Sequence, residues 1–205
     1  MKLSHTVISG VIALCCVLPA QAALHTFAAD LTGAAESPPN ASPATGTTVV
    51  VYDDVLHMLA IAINFSGLMA PTTVAHIHAG VLSDALTVGV AVTPGTLPGF
   101  PAGVTSADYD VVVNLSLAGS YTATFVTNYG GGTVAGAEAA LFSFMQAGTA
   151  YVNVHTTSFP AGEIRGFLLP ITESPTVPDA TATVCLFSFA LGVMGLIARR
   201  SRIAA

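Results

Sequence analysis

The chain has 205 residues, of which 53% are hydrophobic and 8% are charged, and its formal net charge at pH 7 is -6. Four of the five basic residues lie at the two ends, whereas all eleven acidic residues lie between positions 30 and 179. Residues 23–179 contain one basic and eleven acidic residues, a formal charge of -10, which argues against nucleic acid or anionic lipid headgroups as partners.

The first 22 residues have the pattern of a secretory signal peptide. Lys2 provides the positive charge, residues 7–18 form an apolar segment, and Ala20 and Ala22 are the small residues of a cleavage site. The apolar segment is short for a membrane-spanning helix. We expect export and cleavage after Ala22, with a retained membrane anchor as the alternative.

The three cysteines all lie near the ends of the chain. Cys15 and Cys16 belong to the predicted signal peptide, and Cys185 lies in an apolar run near the carboxyl terminus. Residues 23–170 therefore have no disulfide, no thiolate ligand for zinc and no cysteine nucleophile.

Residues 23–170 are predicted to form one domain of the all-β class. Short apolar runs rich in Thr, Val, Ala and Gly alternate with segments rich in Pro, Gly, Asn and Asp. The predicted strands cover residues 24–31, 47–52, 56–65, 73–78, 87–92, 109–117, 150–155 and 163–169. A further strand is predicted at residues 121–126. We expect a single antiparallel β-sandwich with Greek-key-like connections.

One segment has helical rather than strand periodicity. Residues 134–146 place Leu141 and Met145 at helical spacing, with Thr133 as the N-cap and Gly148 as the stop. We predict one short amphipathic helix here, which covers the open side of the sandwich.

Three of the six histidines fall in two strand-like segments. His76 and His78 point to the same side of one strand, and His155 belongs to another. Three imidazoles that meet in this way can bind one copper or zinc ion. The alternative is that each histidine hydrogen-bonds a neighbouring carbonyl or carboxylate and holds loops together.

Arg165 is the only basic residue between the two ends of the chain. Alternation places it on the same face as Glu163, with Asn153 on a neighbouring strand. We expect Asn153, Glu163 and Arg165 to form a structural polar cluster in which Arg165 pairs with Glu163 or with another carboxylate. The alternative is that Arg165 recognises an anion.

Residues 180–205 are predicted as a transmembrane span with an arginine-rich tail. Residues 180–198 form a nearly unbroken apolar run. Arg199, Arg200 and Arg202 follow it and should stay on the cytoplasmic side. The preceding domain would then be tethered outside the inner membrane.

Residues 171–179 are predicted as an extended linker that ends in Val177, Pro178 and Asp179. With the span and the arginines, this motif resembles the PEP-CTERM sorting signal of Gram-negative bacteria, although Asp179 stands where glutamate is usual and Ala180 stands where a second proline is usual. The resemblance implies processing by an exosortase-like enzyme, followed by transfer to the cell surface or release. A plain inner-membrane anchor is the alternative.

Two spaced motifs resemble those of the CHRD domain, a module named after chordin and also found alone in bacterial exported proteins. The first is AHIHAG at residues 75–80, and the second is YVNVHT at residues 151–156 with GEIRG at residues 162–166. The resemblance extends over residues 24–169 and includes Glu36 near its start. It implies a mainly β domain and almost no defined biochemistry.

The motifs of common enzymes are not found in this sequence, including the hydrolase elbow G-x-S-x-G, the zinc helix H-E-x-x-H, phosphate loops and dinucleotide fingerprints. We therefore expect a non-catalytic, exported protein without a cofactor, with a structural or adhesive role at the cell surface or in the extracellular matrix. Its partners would be the secretion machinery, the exosortase-like enzyme and a surface ligand that the sequence does not identify. The alternative is an extracytoplasmic copper or zinc binding protein that uses His76, His78 and His155.

Overall fold

In a computed structural model of the chain, the structure describes residues 23–83 and 86–171. These residues form nine β-strands and two α-helices. The strands are β1 (Leu24–Thr32), β2 (Thr45–Asp53), β3 (Met58–Ser66), β4 (Thr72–Ala79), β5 (Val90–Val92), β6 (Ala107–Asn114), β7 (Ala150–Thr156), β8 (Ile164–Phe167) and β9 (Leu169–Pro170). The helices are α1 (Ala123–Tyr129) and α2 (Val134–Gln146).

The strands belong to one curled, antiparallel sheet with the order β5-β4-β7-β8-β1-β2-β3-β6, and β9 also pairs with β1. The all-β class is therefore confirmed. The division into two facing sheets of a sandwich is not confirmed, because hydrogen bonds connect the described strands from β5 through to β6. The sheet instead curls around its own hydrophobic side.

Strand β3 shows how the sequence determines which side of the sheet is buried. Leu59, Ile61 and Ile63 are at most 2% exposed, whereas the intervening Ala60 and Ala62 are partly exposed. This is the predicted alternation, and it holds because successive side chains of a strand point to opposite faces. The two-residue period therefore defines the inner face of the sheet.

The helix at Val134–Gln146 is confirmed, and Ala137, Leu141 and Met145 on it are buried. The strand predicted at residues 121–126 is wrong, because residues from Ala123 onward form helix α1. The hydroxyl of Thr122 accepts a hydrogen bond from the Phe125 N–H, which caps this helix at its start. The N-cap threonine is a local signal for a helix, but the strand-favouring composition of residues 121–126 led to the prediction of a strand.

The predicted signal peptide, sorting motif and transmembrane span lie outside the described residues. This applies to residues 1–22 and to Val177, Pro178, Asp179 and the three terminal arginines. Within residues 23–83 and 86–171, the helices are too short or too polar to cross a membrane.

Candidate metal centre

The histidines lie on the face of the sheet opposite the hydrophobic core. In β4, Ala75, Ile77 and Ala79 are fully buried on the inner face, so His76 and His78 point to the outer face. Strand β7 pairs antiparallel with β4 and brings His155 to the same outer face. The same sheet therefore has apolar residues on one side and a cluster of imidazoles on the other.

Loops cover this outer face and fix the orientation of each ring. Each imidazole has one ring nitrogen within hydrogen-bond distance of a main-chain carbonyl oxygen: His76 Nε2 with Gly95 at 2.9 Å, His78 Nδ1 with Val88 at 2.8 Å, and His155 Nδ1 with Pro160 at 3.0 Å. A carbonyl oxygen only accepts hydrogen bonds, so each of these nitrogens must carry the proton. The opposite nitrogen of each neutral ring then has a free lone pair.

The three imidazole rings lie close together on the outer face. The ligand atoms of His76, His78 and His155 all lie within 4.8 Å of one another. His76 Nδ1 and His155 Nε2 are 3.4 Å apart, close to the nitrogen–nitrogen separation of about 3.3 Å expected in a tetrahedral zinc site. His78 Nε2 is buried and has no hydrogen-bond partner among the described residues. Lone pairs that face one another repel unless a cation lies between them.

Burial keeps the three imidazoles neutral. Desolvation lowers the pKa of His76 and His155, and it lowers the pKa of His78 to about 4. The positive charge of Arg165 lowers the pKa of His78 further, as a smaller contribution. Neutral imidazole is the form that binds a metal ion, so the rings are ready to do so at neutral pH.

Arg165 lies on β8 of the same outer face and is only 2% exposed. Its guanidinium donates hydrogen bonds to the carbonyls of Ala35 and Leu86, and it lies 4.8 Å from the centre of the Tyr151 ring. Tyr151 in turn stacks on His78, with the ring centres 4.7 Å apart and the planes 8° from parallel. The guanidinium, the phenol and the imidazole therefore form one stack.

Among residues 23–83 and 86–171, the ion-pair partner of Arg165 is Glu36, whose Oε2 lies 3.8 Å from Nε. Desolvation raises the pKa of Glu36 to about 7, and the guanidinium only partly opposes this. Sequence reasoning did not identify Glu36 as a partner. The sequence indicates that the only arginine of a very acidic region pairs with a carboxylate, but it does not identify which one.

Glu163 is buried and has a different role from the one expected for the arginine pair. Its carboxylate accepts hydrogen bonds from the Met69 N–H at 2.6 Å and from the hydroxyls of Ser42 and Thr156 at 2.7 Å. These contacts join the turn before β2, the turn before β4 and strand β7. Glu163 therefore ties three segments together.

Asn153 lies between the histidines and Arg165, since it pairs in register with His76 on one side and with Arg165 on the other. Its Oδ1 and the Oε1 of Glu36 are both buried without a hydrogen-bond partner among the described residues. Both atoms border Gly162, where a Cβ atom would lie 2.4 Å from Asn153 Oδ1 and 2.6 Å from Glu36 Oε1. A side chain at position 162 would therefore clash with both of these oxygen atoms.

A second histidine contact lies away from this centre. His57 Nδ1 is 2.9 Å from Oε1 of the buried Glu138, which also accepts a hydrogen bond from the Tyr52 hydroxyl at 2.8 Å. Sequence reasoning gave His57 no role, because Glu138 is 81 residues away in the chain. Among the described residues, this contact therefore contains a single imidazole with a carboxylate, unlike the group of His76, His78 and His155.

The sequence profile of the CHRD domain matches residues 27–168. No curated protein and no solved structure gives a significant match to the chain. The matched residues include both histidine segments and the buried cluster of Glu36, Glu163 and Arg165. Because the match covers well over half of the chain, the protein belongs to the CHRD domain family.

Proposed function

We propose that this protein is an exported metal-binding protein that holds one copper or zinc ion between His76, His78 and His155. The observation that carries the proposal is that each of the three imidazoles offers one ligand nitrogen, and these atoms lie within 4.8 Å of one another. Each ring also donates its other N–H to a carbonyl, which is the usual second interaction of a metal-bound histidine. The acidic surface of the domain would raise the local concentration of cations.

The competing function is a structural or adhesive module of the cell surface without a metal. In its favour, each histidine already joins a strand to a loop through a carbonyl. Against this function, the hydrogen bond to a loop carbonyl uses only one nitrogen of each ring. It gives no role to the second nitrogen of each of the three rings. A buried polar atom without a partner costs roughly 1–3 kcal/mol, and His78 Nε2 is such an atom. A metal ion would remove this cost.

The first experiment measures the metal content of the full-length chain, exported without a histidine tag and purified in mild detergent without chelators. We expect about one copper or zinc ion per chain, because the three nitrogens form a single centre. The double variant His76→Ala/His78→Ala should lose the ion, and its circular dichroism spectrum shows whether the β-fold is retained. His25→Ala removes a histidine outside the centre and should keep the ion.

Absence of bound metal in the purified protein, and after titration with both copper and zinc, would contradict the proposal. That result would favour the competing function, a structural or adhesive module without a metal. Equal loss of metal in His25→Ala would also contradict it, because adventitious binding by surface imidazoles would explain that result.

We further propose that an exosortase-like enzyme processes the chain during export. The support is sequence alone: the signal-like residues 1–22 and the tail with Val177, Pro178, Asp179 and its arginines. The intact mass of the mature protein tests this. Cleavage near residues 177–179 removes the apolar run, whereas a plain anchor retains it.

A further inference from the structure

The ligands of the candidate centre carry no negative charge. The described residues that form it are three imidazoles, without a carboxylate or thiolate in the group. The guanidinium of Arg165, which is positive, lies against Tyr151, and Tyr151 stacks on His78. A divalent ion bound here would therefore receive no compensating charge from its protein ligands, and it would bring more positive charge beside Arg165 than a monovalent ion would.

The positive charge of Arg165 is held beside the centre by several independent contacts. The side chain is 2% exposed and donates to the carbonyls of Ala35 and Leu86. It stacks on Tyr151, and Tyr151 stacks on His78. Water therefore screens this charge little, and the side chain has little freedom to move away. Glu36 offsets the charge only in part, since burial raises its pKa to about 7.

These observations distinguish between the oxidation states of a bound ion. Three nitrogens complete the coordination of a monovalent copper ion, whereas zinc on three histidines takes a water molecule as its fourth ligand. A unit positive charge on the order of 10 Å away, at an effective dielectric constant of about 20, favours a +1 over a +2 ion by roughly tenfold. The charge of Arg165 therefore favours the monovalent ion over either divalent ion.

We propose that the centre of His76, His78 and His155 binds Cu(I) in preference to Zn²⁺ and Cu²⁺, and that Arg165, acting through the Tyr151 stack, is a positioning residue for this preference. The inference rests on the proposed function, since it names which ion the same three histidines select.

The experiment uses the full-length chain under anaerobic conditions. Cu(I) is titrated in competition with bicinchoninate, and Zn²⁺ and Cu²⁺ are added at equal concentration to the Cu(I)-loaded protein. We expect one Cu(I) per chain that neither divalent ion displaces. Displacement by Zn²⁺, or tighter binding of Cu²⁺, overturns the inference and leaves the proposed metal-binding function intact. Failure to bind any of the three ions overturns the proposed function itself.

The role of Arg165 is tested by the reduction potential of the bound copper at pH 8, where Glu36 is mostly ionised. Arg165→Met, made in the Glu36→Gln background so that protonation of Glu36 cannot compensate, should shift the ratio of Cu(I) to Cu²⁺ affinity roughly tenfold toward Cu²⁺, which lowers the potential by about 59 mV. Arg165→Lys keeps the charge and should lower it less. An equal shift in both variants would mean that the arginine acts only through packing.

Glu36→Gln provides a test that does not depend on the folding of an arginine variant. It removes the negative charge beside Arg165, so the potential should rise, corresponding to a shift of roughly two- to fivefold toward Cu(I). The opposite signs of the two changes distinguish an electrostatic role from a structural one, because structural damage would not raise the potential. An unchanged or lower potential in Glu36→Gln overturns the role of Arg165.

Discussion

At the scale of single residues, the decisive feature is which nitrogen of each histidine carries the proton. His76 and His78 lie two positions apart in β4, yet different ring nitrogens of the two residues face carbonyls. The carbonyl of Gly95 faces Nε2 of one ring, and that of Val88 faces Nδ1 of the other. The loops around the sheet therefore determine the tautomers, and the tautomers determine which lone pairs meet.

This arrangement predicts the protonation of the metal-free protein. At neutral pH, His76 should be protonated at Nε2, and His78 and His155 at Nδ1, because those nitrogens donate to carbonyls. His78 should remain neutral until the pH approaches about 4. Long-range ¹H–¹⁵N correlation spectra report both properties. A doubly protonated His78 at pH 6, or an Nε2–H tautomer of that ring, would show that the lone pairs do not converge.

At the scale of secondary-structure elements, the junction of α1 and α2 shows packing that opposes local preference. Gly136 lies in the first turns of α2, where alanine is the better helix former by about 1 kcal/mol. A Cβ atom at this position would lie only 2.1 Å from the Gly130 carbonyl oxygen. The close approach of the two backbones therefore requires glycine.

We predict that Gly136→Ala destabilises the protein by about 1–3 kcal/mol, because the clash with Gly130 outweighs the gain in helix propensity. Urea unfolding of the purified protein measures this change. Ala139→Gly, at an exposed position of the same helix, is the control and should cost about 1 kcal/mol from propensity alone. An increase in stability on Gly136→Ala would mean that the helices separate easily at this point.

At the scale of the whole molecule, the sheet buries two different layers. The inner face carries the hydrophobic core, and the outer face of β4, β7 and β8 carries the histidines with Asn153 and Arg165 beneath loops. Because a carboxyl group and three imidazoles are buried, the free energy of unfolding depends on pH. The buried Glu36 and the three imidazoles respond in opposite directions.

Glu36 has a pKa of about 7 in the folded protein and 4.5 as its ordinary value. Its contribution to stability is complete below pH 4.5 and is lost as the pH rises toward 7, because only the unfolded chain ionises easily in that range. The lowered pKa values of the histidines act oppositely: their contribution is complete above pH 6.5 and is lost as the pH falls, for His78 toward about 4.

We therefore predict that the metal-free wild type loses stability relative to Glu36→Gln between pH 5 and pH 8, since the glutamine variant lacks this titration. Both proteins should lose stability in acid through the histidines, with His78 contributing down to about pH 4. Urea midpoints across this range measure both effects. A constant difference between the two proteins at all pH values would show that Glu36 does not titrate on unfolding.

The sequence by itself determined the all-β class, the helix at Val134–Gln146, the alternation in β3 and the identity of the three histidines. These follow from local periodicity and from the chemistry of single residues. Only the tertiary structure decided that the strands form one curled sheet, that residues from Ala123 onward are helical, and that Arg165 pairs with Glu36. It also decided that Nδ1 of His76 faces Nε2 of His155. These properties depend on residues far apart in the chain, and they are fixed by strand pairing and loop carbonyls that no local pattern specifies.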